Sequence, residues 1–239
     1  MLGIYVAHMG PDLRQRAAAR GRRRGRAGAI QLGDGVRGRH VLVTGAGVVG
    51  LLVALFARHH GAAEVLVADA TPARLAVARD LGLDAVDDAD GTAWRAVKER
   101  WRRDPTDCGA DVVFQCRGRD GRTLAGALRS LRPQGTVVDL AFYQGGAPDL
   151  ALGEEFHHNG LAIRCAQIGR VPRGTAHLWD QAAPGRRDGQ PAACRRPGDA
   201  GASGHRPGPA GDAPALLADL ASRRRHVLQA VFACPAATA

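Results

Sequence analysis

The chain has 239 residues, 45% of them hydrophobic, which is enough to bury the core of one large or two small domains and too much for a wholly disordered chain. Its longest apolar stretch, Val48 to Ala57, is far shorter than the ~20 residues of a membrane-crossing helix and no signal-peptide pattern opens the sequence, so a cytoplasmic protein is expected. The formal net charge of +10 is concentrated, with seven arginines against one aspartate in residues 12–30 and five against two in residues 181–211. Lys98 is the only lysine, and a surface selected for phosphate contact would rarely exclude lysine so completely, so the bias looks like codon composition. The five cysteines are scattered, with no Cys-x-x-Cys pair, which suggests neither a disulfide framework nor a zinc knuckle.

Residues 1–31 read as an irregular lead-in segment that contains the arginine run. From His40 the pattern becomes regular. His40 to Thr44 (HVLVT) is an apolar strand, a glycine turn follows, and Val48 to His60 is a helix; Glu64 to Asp69 (EVLVAD) is the next strand, completing a βαβ unit. Thr71 is placed to cap a helix whose first position is Pro72 and whose end is marked by Gly82. Ala85-Val86 is a short third strand, Thr92 to Arg103 a helix and Ala110 to Gln115 (ADVVFQ) a fourth strand. Thr123 to Leu131 is a helix stopped by Pro133, Thr136 to Leu140 a fifth strand and Leu161 to Ile168 a sixth. Strands this apolar, separated by helices, predict an α/β fold with a doubly wound parallel sheet over residues 32–180, in the order of a dinucleotide-binding domain. Residues 181–211, rich in Gly, Pro and Arg, lack apolar periodicity and are expected to be disordered or poorly packed. Residues 212–239 should return to a helix, Ala213 to Ser222, and a strand, His226 to Phe232.

The chemistry is carried by Thr44-Gly45-Ala46-Gly47-Val48-Val49-Gly50, a Gly-x-Gly-x-x-Gly run that follows a strand, opens a helix and precedes an acid, Asp69, at the end of the next strand. In such a turn the first glycine permits the bend, the second leaves room for a pyrophosphate against the backbone and the third lets the helix lie close on the sheet. The phosphates would sit on the unpaired amides at the positive end of the helix. Asp69 would accept hydrogen bonds from the adenosine ribose hydroxyls and repel a 2′-phosphate, so NAD is expected over NADP. A methyltransferase also keeps an acid there, but its glycine turn is usually led by an acid where Thr44 stands.

These residues, with GDGVRGRHVLVTGAGVVGLLVALFARHHGA, EVLVADATPARLAVARDLGLDAV, ADVVFQCRGR and TLAGALRSLRPQGTVVDL, resemble the Rossmann-type NAD(P)-binding domain of the medium-chain dehydrogenase/reductase group, the zinc-type alcohol dehydrogenases in particular. The resemblance implies hydride transfer between NAD(P) and an alcohol or carbonyl. It implies that Gly45, Ala46, Gly47, Val48, Val49 and Gly50 line the pyrophosphate, that Asp69 and Arg74 flank the adenosine ribose, and that the loop at Cys116 approaches the cofactor. Family members are often dimers, so a homodimer is an expectation too. The family's N-terminal catalytic domain, with its zinc ligands, has no counterpart here, so no catalytic or metal-binding residue is assigned. Zinc is expected for the family, as the Lewis acid that polarises the substrate oxygen. His59-His60 and His157-His158 read as surface or packing histidines, because adjacent side chains diverge.

Read one nucleotide over with GC-rich codons, residues 12–30 and 181–211 can encode segments like the family's own, which suggests a truncated or frame-disrupted copy. Two alternatives stand beside the oxidoreductase: an NAD-binding protein without catalysis, and an arginine-rich nucleic-acid-binding protein, which the absence of aromatic residues within the arginine run disfavours.

Overall fold

The computed structural model of the chain describes residues 35–118, 120–166, 208–222, 224–225 and 232–233. The lead-in with its arginine run, residues 167–180 at the end of the expected sheet domain, and residues 181–207 of the second biased zone lie outside the described residues.

Six parallel strands form one sheet: β1 (His40–Thr44), β2 (Glu64–Asp69), β3 (Asp84–Asp87), β4 (Ala110–Gln115), β5 (Leu131–Asp139) and β6 (Ala162–Cys165), in the order β3-β2-β1-β4-β5-β6. Four helices cover it: α1 (Val48–His59), α2 (Pro72–Asp80), α3 (Ala93–Arg100) and α4 (Gly121–Ser130). The expected α/β, doubly wound architecture is therefore what the chain adopts. Its strands are apolar on both sides because both sides are covered. Val41, Val43, Val67, Val112, Phe114 and Val138 face one core with Leu51 and Phe56 of α1 and Ala78 of α2. Leu42, Leu66, Val113 and Val137 face the other, with Val97 of α3 and Leu124 and Leu128 of α4. The period-two alternation sorts the residues of β1, β2, β4 and β5 between the two cores.

Several boundaries differ from expectation, each for a local reason. The third helix ends at Arg100, not Arg103, because Trp101 leaves helical geometry and turns inward, 3% exposed, to donate its indole N–H to Glu64 Oε2 at 2.9 Å. Pro133 does not separate helix from strand: α4 stops at Ser130 and β5 begins at once, with Pro133 inside it. The strand tolerates it because the pairing with β4 shifts register between Ala110 and Val112, and Gln134 adopts φ +62° while its N–H donates to Asn159 O. Thr71 stands at the N-cap of α2, but its side chain makes no capping bond.

Residues 208–211, expected to be irregular, are ordered locally. Gly208–Pro209 (β7) pairs in parallel with Phe232–Ala233 (β8), apart from the large sheet, and a 3-10 turn at Ala210–Asp212 leads into α5 (Ala213–Ala221), the expected late helix. Of the expected closing strand, residues 226–231 lie outside the described residues.

Candidate functional site

Strand order decides where a site can form. β1 lies between β2 and β4; the helix that follows β1 packs on one face of the sheet and the helix that follows β4 on the other, so the two connections part at their C-terminal ends and leave a crevice.

The glycine turn sits at this point. Gly45 has φ +99°, and a Cβ there would come within 2.9 Å of Arg117 Cγ and 3.2 Å of the Cys116 carbonyl carbon. A Cβ on Gly50 would lie 1.7 Å from Gly45 O, so only glycine lets the helix start this close to the strand end. Gly47 is different: a Cβ there would meet nothing within 4 Å. It is the N-cap of α1, and α1 has neither a side-chain cap nor an acid in its first turn. An open approach thus leads to helix-end amides that no side chain caps.

Asp69 closes the turn from beside β2. Its Oδ2 accepts the Ala46 N–H at 2.8 Å and its Oδ1 accepts the Thr71 N–H at 2.8 Å, while the guanidinium of Arg74 stands 3.9 Å away. Asp69 is 2% exposed. The sequence expectation treats Asp69 as a ligand to ribose; the fold has already tied both of its oxygens to backbone.

On the β4 side, the Cys116 N–H donates to Thr44 O at 2.8 Å, and burial pushes the Cys116 thiol far up, so it stays a neutral, packed group. Arg117 lies across Gly45 and pairs with Asp88 at 2.8 Å, linking the loop after β4 to the loop after β3.

The structure adds a polar row that the sequence expectation missed. Thr44, Gln115 and Asp139 are in-register neighbours across β1, β4 and β5. The Thr44 hydroxyl donates to Gln115 Oε1, and Gln115 Nε2 donates to Thr123 Oγ1 at 2.7 Å and to Arg117 O at 3.2 Å. Asp139 accepts the Tyr143 hydroxyl at 3.1 Å and the Ala141 N–H at 3.0 Å, and burial raises its carboxyl above the ordinary range despite those bonds. The only hint in the sequence is that apolar strands HVLVT, ADVVFQ and TVVD each end on a polar residue.

Among the described residues no group of three or more His, Cys, Asp or Glu stands close enough to hold a metal ion. The paired histidines present their rings edge to face, at 83° in His59–His60 and 90° in His157–His158. The described residues do not fit a zinc site.

With this geometry, residues 48–182 match the family model of the zinc-binding dehydrogenases. The chain belongs to the zinc-binding dehydrogenase family. It is 35% identical over 122 residues to formaldehyde dismutase from Pseudomonas putida, a match to 47% of this chain and 31% of that protein. It is 52% identical over 52 residues to L-threonine 3-dehydrogenase from Sinorhizobium fredii, covering 22% and 15% respectively. The chain therefore spans less than a third of the length of these curated relatives. Among solved structures, alcohol dehydrogenase TADH from Thermus sp. ATN1 superposes with a TM-score of 0.67 over 96% of this chain and 61% of that one, at 22% identity, a likeness of fold. A Sinorhizobium meliloti protein solved with NADP bound superposes with a TM-score of 0.53 at 26% identity, over 60% and 42% of the two chains. As a member of that family, the chain shares with these solved structures the doubly wound α/β fold. No helix among the described residues is long and apolar enough to cross a membrane.

Proposed function

We propose that this chain binds NAD(H) and is the cofactor-binding part of an oxidoreductase that moves hydride between the cofactor and a small alcohol or carbonyl compound. The observation that carries the reading is the open approach over Gly47 to the uncapped start of α1, placed where the connections of β1 and β4 part. A diphosphate fits there: no side chain fills the space and the dipole of α1 favours an anion. The nicotinamide, when bound, is what accepts or gives the hydride. The protein's share is to hold and orient it. In this reading Gly45, Ala46, Gly47, Val48, Val49 and Gly50 hold the diphosphate, Asp69 and Arg74 stand beside the adenosine ribose, and the Cys116 loop walls the crevice; residues 32–180 make up the domain.

NAD is favoured over NADP because Asp69 adds negative charge where a 2′-phosphate would lie; the Sinorhizobium meliloti protein was solved with NADP. A cytoplasmic homodimer that binds neither membrane nor nucleic acid completes the proposal. A second reading is cofactor binding without turnover, for which the open approach over Gly47 to the start of α1 is sufficient.

Titration of the folded protein with NADH and NADPH tests both. A rise in nicotinamide fluorescence and a thermal upshift are expected, larger with NADH. Neither response in a sample with intact circular dichroism would remove the cofactor reading; binding without hydride transfer to any alcohol or aldehyde would select the second.

A further inference from the structure

We infer that Asp69 is a positioning residue for the phosphate turn: its carboxylate holds Ala46 in place, and cofactor affinity depends on it even when the cofactor offers no ribose hydroxyl. The inference rests on the cofactor reading above for its consequence, but not for its geometry.

The turn is anchored to β2 by two successive amides. The Gly45 N–H donates to Ala68 O at 2.7 Å, and the next, that of Ala46, donates to Asp69 Oδ2 at 2.8 Å. Ala46 is wholly buried, so without Asp69 its N–H would have no solvent to turn to. The other oxygen of Asp69 accepts the Thr71 N–H, which fixes the carboxylate from the α2 side. Arg74, the remaining charged neighbour, is 3.9 Å away, longer than a hydrogen bond. The same carboxylate therefore ties together the turn after β1 and the turn after β2. With Gly45 at φ +99° on one side and α1 starting at Val48 on the other, the Ala46 peptide sets the direction in which the Gly47 and Val48 amides point. Asp69 is 2% exposed, and each of its two oxygens accepts one backbone N–H.

The test compares wild type with Asp69→Ala, using NADH and an NADH analogue that lacks both hydroxyls of the adenosine ribose. If Asp69 positions the turn, Asp69→Ala weakens both ligands by about tenfold or more, the scale of a lost charge-assisted hydrogen bond. If it serves only the ribose, the variant binds the analogue as wild type does, and the inference is overturned. Amide hydrogen exchange on the cofactor-free protein gives an independent readout. In wild type the Ala46 amide should exchange about a hundredfold more slowly than the Val49 amide in the uncapped first turn of α1. Comparable rates at the two amides would overturn the inference even if Asp69→Ala failed to fold. Wild type that protects Ala46 but binds no NADH would instead sink the cofactor reading and leave the strut standing.

Discussion

The Gln115 carboxamide and the Thr123 hydroxyl meet at 2.7 Å, joining the end of β4 to the first turns of α4 where no solvent reaches Gln115. The contact belongs to a polar cluster: Gln115 also accepts from Thr44 and donates to Arg117 O, which accepts from Thr123 as well. It braces the backbone of 116–118, the loop that lies against Gly45.

Gln115→Leu keeps the volume and removes every polar partner. The Thr44 hydroxyl would keep only its long contact to Phe114 O at 3.5 Å, while Arg117 O would still accept from Thr123 at 3.1 Å, so a loss of about 1 kcal/mol is expected in urea unfolding. An unchanged midpoint would show that the cluster adds nothing to the fold.

Two glycines of the turn, Gly47 and Gly50, should separate under substitution. Gly50→Ala places a Cβ 1.7 Å from Gly45 O, which forces the helix off the strand, so the melting temperature should fall together with NADH binding. Gly47→Ala meets nothing within 4 Å, so its fold should survive with a loss of about 1 kcal/mol or less, the usual cost of alanine at an N-cap. Its NADH affinity should nevertheless drop by about tenfold or more, because the methyl group occupies the space left for the diphosphate. Calorimetry on the two variants separates the outcomes.

Asp139 should make the protein less stable as pH rises. Burial lifts its folded pKa above the ordinary 3.8, so the folded state holds the proton longer than the unfolded chain does. The stability linked to that proton is complete below pH 3.8 and is lost as pH rises through the folded value. Asp139→Asn can still accept from Ala141 and Tyr143 and carries no charge, so it should be at least as stable as wild type at pH 7 and show a flatter pH profile above pH 4. Melting curves from pH 3 to 8 provide the check.

Glu64, at the opposite end of the sheet, has the reverse sign. The indole of Trp101 and then the guanidinium of Arg100 hydrogen-bond its carboxylate and lower its pKa below 4.5. The associated stability is present above pH 4.5 and is lost as pH falls through the lowered value. Trp101→Phe should therefore lose part of the wild-type difference between pH 6 and pH 3, with a small effect because Glu64 is half exposed. Equal acid sensitivity in the two proteins would count against the indole bond.

The sequence by itself determined the alternation of strands and helices, the glycine turn and the acid that ends β2. These depend on local rules: the period of apolar residues, the steric freedom of Gly45 and the residues that start or stop a helix. Only the tertiary structure decided the rest. That Thr44, Gln115 and Asp139 stand side by side follows from parallel register across β1, β4 and β5, which joins residues up to 95 positions apart and leaves no local trace. That Pro133 lies inside β5 follows from a register shift against β4, and that Trp101 ends α3 follows from an acceptor on β2. The direction of Asp69 is of the same kind: spacing brings a carboxylate to the end of β2, but only the neighbouring turn, with an amide that has no other partner, turns it inward.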